Sequence, residues 1–142
     1  MTALVVLLVV RSADAEQGPY GVDVAVDVMV PMRDGVKLAT DVYRPTQDGM
    51  LIAEKTAVIL TRTPYGKGDG KSADARYFAS HGYTALVQDT RGRYHSEGVW
   101  RWLTDDGPDG VDSAAWIAEQ SWSNGRIGMM GTSYVAGPQH AP

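Results

Sequence analysis

A chain of 142 residues has room for one domain of ordinary size or for part of a larger one. Its 44% hydrophobic and 21% charged residues are ordinary globular usage and exclude wholesale disorder. Thirteen Lys and Arg against seventeen Asp and Glu give a net charge of −4 with no basic cluster, which argues against a nucleic-acid partner; the lack of cysteine excludes disulfides, thiolate metal sites and a cysteine nucleophile.

The chain opens on an unbroken apolar run, Ala3–Val10, which as a helix rises about 12 Å and is too short for a membrane span. Arg11-Ser12-Ala13-Asp14-Ala15 follows, and its Ala-x-Ala ending suits signal peptidase. Residues 1–15 are therefore expected to be a signal peptide, although no basic residue precedes the run. Residues 16–142 are then the exported chain, periplasmic or secreted. The alternative is a buried N-terminal strand and a cytoplasmic protein.

From Val22 to Val30 every second residue is valine, alternating with Asp23, Ala25, Asp27 and Met29. Period two predicts a half-buried strand with all five valines on one face. Asp34-Gly35 predicts a tight turn, with Leu38, Thr40 and Val42 on the return strand. A polar connection over Pro45–Lys55 leads to Thr56–Leu60, a continuous run expected to be a strand buried on both faces. A helix is predicted from Ser72, as N-cap, to His81, with Gly82 taking the left-handed position behind it. Thr84–Val87 reads as the next buried strand. Gly107-Pro108 predicts a second helix with Pro108 in first place, Asp109 and Asp112 near its positive end, and a buried stripe of Val111, Ala114, Ala115 and Ala118. Gly125 should end that segment, and Ile127–Met130 should form another buried strand. An antiparallel hairpin followed by β-α-β-α-β describes an α/β sheet with an antiparallel edge.

Gly131-Thr132-Ser133-Tyr134 stands where this last strand should give way to a helix. A serine there is held on a sharp turn with its hydroxyl projecting from the sheet, and a glycine two residues earlier leaves room for the turn. Helix N–H groups behind it point at any developing oxyanion. The arrangement resembles a nucleophile elbow, although Val135 stands where G-x-S-x-G has its second glycine. An ordinary strand-to-helix turn is the competing reading.

Several ordered blocks carry a wider likeness. They are Met32–Pro45 (MRDGVKLATDVYRP), Arg62–Lys67 (RTPYGK), Gln88–Arg93 (QDTRGR) with Ser96-Glu97-Gly98, Asp105–Gly110 (DDGPDG) with Trp116-Ile117, Trp122–Met129 (WSNGRIGM) and Gly131–Tyr134. With these blocks the chain, from about Val22 onward, resembles the Xaa-Pro dipeptidyl-peptidase-like, cocaine-esterase-like (CocE/NonD) α/β-hydrolases. The resemblance implies the N-terminal part of an α/β-hydrolase sheet, ending just after the elbow, and a serine-dependent acyl hydrolase of esters, amides or short peptides in full-length form. It implies Ser133 as nucleophile, the Tyr65 hydroxyl as one oxyanion donor and the Tyr134 backbone N–H as the other. No cofactor or metal is implied. Asp89–Gly98 is read as an Asp–Arg network bracing a loop.

The departures are specific. The family pattern Gly-x-Ser-Tyr-x-Gly has Ala136 at its last position here, with Gly137 and Pro138 following. In the family the triad Asp and His follow the serine, and no such residues are present. His140 is two helical turns from Ser133, about 10 Å along the axis and out of reach. His81 is expected to meet carbonyls at a helix end, and His95 lies in a loop as a weak candidate base. The 142 residues alone are expected to be inactive, and a non-catalytic fragment or binding module is the alternative function. Two further motifs are incomplete: Gly70-Lys71-Ser72 ends like a phosphate-binding loop but has Tyr65 where its first glycine belongs, and Asp105–Gly110 hints at a calcium loop whose twelfth position is Trp116 rather than Glu.

Overall fold

The structure, a computed structural model, describes residues 18–137. The expected leader, Pro138 and His140 lie outside them. β1 (Gly21–Pro31) and β2 (Lys37–Gln47) form the predicted antiparallel hairpin. Gly35 takes φ 86° in the turn, and the Asp34 carboxylate accepts the Val36 N–H at 3.2 Å. β2 runs further than the polar composition suggested. Asp48 and Gly49, both left-handed at φ 52° and 77°, turn it back on a short β3 (Met50–Leu51).

β4 (Thr56–Thr63), α1 (Ala73–Ser80), β5 (Thr84–Asp89), α2 (Asp106–Glu119) and β6 (Ser123–Met129) follow in the predicted order. Ser72 caps α1, its Oγ accepting the Ala75 N–H at 3.2 Å, and Gly82 is left-handed at φ 89°. The sheet order is β1-β2-β5-β4-β6, with β3 beside β2; β5, β4 and β6 are parallel, and β2 is antiparallel to β5. This is the N-terminal part of an α/β-hydrolase-type sheet. Because β4, β5 and β6 are parallel, the loops that leave them open on one edge of the sheet.

Two cores cover the two faces. Val42, Val58, Leu60 and Leu86 pack with Ile117 of α2, and Tyr43, Ala85 and Val87 pack with Ala75 and Ala79 of α1. The valines of β1 do not share a face as period two predicted. Three steps from Ala25 to Val28 lie opposite two from Val42 to Thr40, a β-bulge that holds Asp27 at φ 56°. An added residue turns every later side chain over. Val22 and Val24 therefore join the α1 core, Val28 joins the α2 core, and Val26 stays 46% exposed.

α2 departs from its predicted stripe. It begins at Asp106, so Pro108 is third rather than first, still within the turn where a missing N–H is harmless. Val111, Ala115 and Ala118 are exposed and Ala114 is half-buried, while Asp106, Asp109, Ser113 and Ile117 face inward. The sheet beneath explains this. Arg62 donates from Nη1 to the Asp106 carbonyl at 2.6 Å and from Nε to Gln88 Oε1 at 3.1 Å, and Ser113 donates to the same Gln88 oxygen at 3.0 Å. Satisfying these buried polar groups outweighs the small area that an alanine stripe would bury. β6 differs too: it starts at Ser123, takes Gly125 inside it at φ 81°, and leaves Ile127 half-buried and Met129 39% exposed.

Candidate active site

After β6 the chain turns sharply at Ser133, and the helix expected behind the serine falls largely on residues outside those described. Met130 N–H extends the ladder to the Leu60 carbonyl at 3.0 Å, and a 3-10 turn, Ser133–Ala136, starts two residues beyond Gly131. Ser133 is exposed and left-handed at φ 56°. That region is unfavourable for any residue with a Cβ, by on the order of 1–3 kcal/mol, and such strain gathers at functional sites. A Cβ on Gly131 would fall onto the Val135 carbonyl oxygen and lie 2.6 Å from its carbon. The chain folds back this tightly only because residue 131 is glycine.

Tyr65 sits on the loop leaving β4, the strand next to β6. Its side chain is 64% exposed. Gly66, Lys67 and Gly68 from this loop share one open cleft of about 450 Å³ with Gly131, Thr132 and Val135 from the Ser133 turn. The two loops border one cleft, but neither Tyr65 nor Ser133 lines it; Tyr65 lines a neighbouring cleft with Asp89, Tyr94 and His95. The Tyr134 backbone lies within the 3-10 turn, directly after Ser133.

The loop of Tyr65 is anchored at nearly every residue. Tyr65 N–H donates to Thr63 Oγ1 at 3.1 Å, and Arg93 Nε donates to the Pro64 carbonyl at 3.0 Å. The Tyr94 ring lies against Gly66, where a Cβ would come within 3.2 Å of it. Lys67 N–H donates to Asp89 Oδ1 at 2.7 Å. The Lys67 ammonium, with its side chain 1% exposed, meets Asp27 at 2.7 Å, Asp69 at 2.9 Å and Asp41 at 3.2 Å. Burial works against the lysine charge, but the carboxylates of Asp27, Asp69 and Asp41 outweigh it and hold the pKa above the usual lysine value. Sequence reasoning missed this cluster. Only the strand pairing and the bulge bring its members together.

Asp89–Gly98 braces the same edge, as expected. Burial raises the Asp89 carboxyl despite the amides of His95 and Lys67 that it accepts. Ser96 Oγ donates to the Asp89 carbonyl at 2.7 Å and accepts the Ala39 N–H at 2.9 Å, while Arg91 bridges Asp34 and Asp109. The other motifs are occupied from within. Gly70 N–H donates to Asp41 and Ser72 N–H to the Tyr43 hydroxyl, so these amides of the phosphate-loop-like stretch are already taken. Asp105, Asp106 and Asp109 of the calcium-like stretch each face an arginine, Arg101, Arg62 and Arg91.

Neither described histidine is held by Ser133. His81 Nδ1 is 2.7 Å from the Tyr77 carbonyl at the end of α1, and His95 Nδ1 is 2.9 Å from Asp27. The Asp27 hydrogen bond raises the His95 pKa. A raised histidine contributes stability that is complete below its unfolded pKa and is lost as pH rises through the folded one. By NMR titration the His95 ring is expected to titrate above about 6.5, the unperturbed value, and Asp27→Asn should bring it back; an unchanged midpoint in that variant would count against the pairing.

Residues 34–141 match the family described as X-Pro dipeptidyl-peptidase (S15 family). Cocaine esterase from Rhodococcus sp. (strain MB1 Bresler) is 45% identical over 117 residues, which are 79% of this chain and 20% of that protein. Among solved structures, a CocE/NonD family hydrolase from Staphylococcus aureus is similar with a TM-score of 0.71 and 30% identity, covering 82% of this chain and 24% of that one. An alpha-amino acid ester hydrolase is similar with a TM-score of 0.67 and 30% identity, covering 94% of this chain and 25% of the other. The chain spans 20–25% of the length of these relatives.

Proposed function

The chain belongs to the X-Pro dipeptidyl-peptidase (S15) family of hydrolases, and we propose that within a full-length enzyme it supplies the nucleophile and oxyanion donors of a serine-dependent acyl hydrolase. The observation that carries this reading is the strained, exposed Ser133 at a strand end, on a turn that only Gly131 permits. Ser133 Oγ attacks an ester or amide carbonyl and gives its proton to a histidine oriented by an aspartate, neither of them found beside Ser133 among the described residues. The Tyr65 hydroxyl and the Tyr134 N–H stabilise the oxyanion, the leaving group departs with a proton, and water releases the acyl group from Ser133. Esters are the favoured substrate class because two of the relatives above, cocaine esterase and the alpha-amino acid ester hydrolase, are named for acting on them, with small amides and short peptides next. Without a general base the 142 residues alone turn over no ester, and a non-catalytic binding role is the alternative.

The test uses the gene product with any coding sequence that lies in frame on either side. A fluorophosphonate probe is expected to add to Ser133 and to no other serine, as read by peptide mass spectrometry. An adduct elsewhere, or none on a protein that hydrolyses p-nitrophenyl acetate, would remove Ser133 from the role.

A further inference from the structure

We propose that Lys67 is a positioning residue for the oxyanion loop: its buried ammonium, clamped by Asp27, Asp41 and Asp69, fixes the backbone that presents Tyr65. The inference rests on the reading of Tyr65 as an oxyanion donor. Tyr65 is 64% exposed, and the loop backbone that carries it sets where its side chain starts. Two residues on, that backbone is tied down twice by a single residue. The Lys67 amide is held by Asp89 at the end of β5, and its side chain runs inward to β1 and β2. The ammonium donates to Asp69 Oδ1 at 2.9 Å and is ion-paired with Asp27 and Asp41 within 3.2 Å, so its charge meets a carboxylate on three sides.

The cluster depends on the bulge of β1. Asp27 sits there at φ 56°, with its N–H donating to Asp41 Oδ1 at 3.1 Å and its carboxylate shared between Lys67 and His95. Asp41 has its other oxygen on the Gly70 N–H at 2.6 Å, so the same group holds the far end of the loop. A donor aimed at a transition-state oxygen must be in place before the reaction, and a loop can provide that only when its supports are rigid. This cluster also explains why a lysine is buried on a surface loop, where burial alone disfavours its charge.

The experiment uses the full gene product with p-nitrophenyl acetate as substrate and amide hydrogen exchange as a second readout. Lys67→Met leaves Asp41 buried without its cation and puts folding itself at risk, so Asp27→Asn, at a partly exposed position, is made alongside it. Asp27→Asn is expected to lower kcat by about tenfold with KM within about twofold, the pattern of an interaction made in the transition state. The amides of residues 66–70 should exchange about tenfold faster while those of β4 and β5 do not change. In a Tyr65→Phe background Asp27→Asn should produce no further loss of kcat, because the group being positioned is gone. An equal loss in both backgrounds, or unchanged exchange over residues 66–70, would overturn the proposal. Failure of the functional reading looks different: Tyr65→Phe or Ser133→Ala would then leave hydrolysis intact, and the exchange result would still decide whether the cluster fixes the loop.

Discussion

Ser133→Gly in the full gene product is expected to lower kcat for ester hydrolysis by about 10⁶ while raising stability by about 1 kcal/mol. The first effect follows from losing the nucleophile of a unit that acts together, leaving only binding and oxyanion stabilisation. The second follows from φ 56° at this residue, which glycine adopts without the steric penalty that a Cβ brings. Ser133→Ala should lose the same activity and keep the strain, so the two variants differ in stability but not in rate. Urea unfolding and p-nitrophenyl ester kinetics on both decide it. A serine in an ordinary turn would show the stability gain of the glycine variant with activity unaltered. Strain that substitution so readily relieves is the mark of a position set by chemistry rather than by folding.

Arg62→Met is expected to destabilise the fold by about 3–5 kcal/mol, since it removes one partner of a buried charge pair. Arg62 is fully buried on β4, and its guanidinium binds Gln88 and the Asp106 carbonyl and lies 3.8 Å from the Asp106 carboxylate. Asp106 is itself 5% exposed, and its pKa is raised by burial in spite of the arginine. Without Arg62 the carboxylate must be protonated or hydrated, and the first turn of α2 loses its seat. The double variant Arg62→Met with Asp106→Leu should recover most of the loss, because two apolar groups replace a pair whose desolvation was costly. The urea midpoint reads both variants. A single-variant loss below about 1 kcal/mol would mean that solvent reaches the pair.

Local signals carried what was legible in the sequence. Ser72 and Gly82 delimit α1 because a cap and a left-handed glycine are decided by neighbouring backbone groups. The Ser133 turn was legible because Gly131 must clear a carbonyl only four residues away. Tyr65 came from a resemblance between blocks, and spacing alone gave no reason to prefer it to Tyr94. The inward face of α2 was illegible. Its alanines follow a helical period, but the groups that decide the face, Arg62 and Gln88, arrive from strands dozens of residues away. The same holds for Lys67, whose partners come from β1, β2 and its own loop.

The bulge in β1 also makes the length of that strand matter more than the identity of its most exposed valine. Val26 projects to solvent, and replacing it with another side chain disturbs little. Deleting it would even the ladder against β2. Asp27 would then join a regular ladder opposite Asp41, and the left-handed bend from which its carboxylate reaches Lys67 would be lost. A one-residue gap here is a larger change than any single replacement, and aligned relatives should vary in residue at position 26 far more freely than in count.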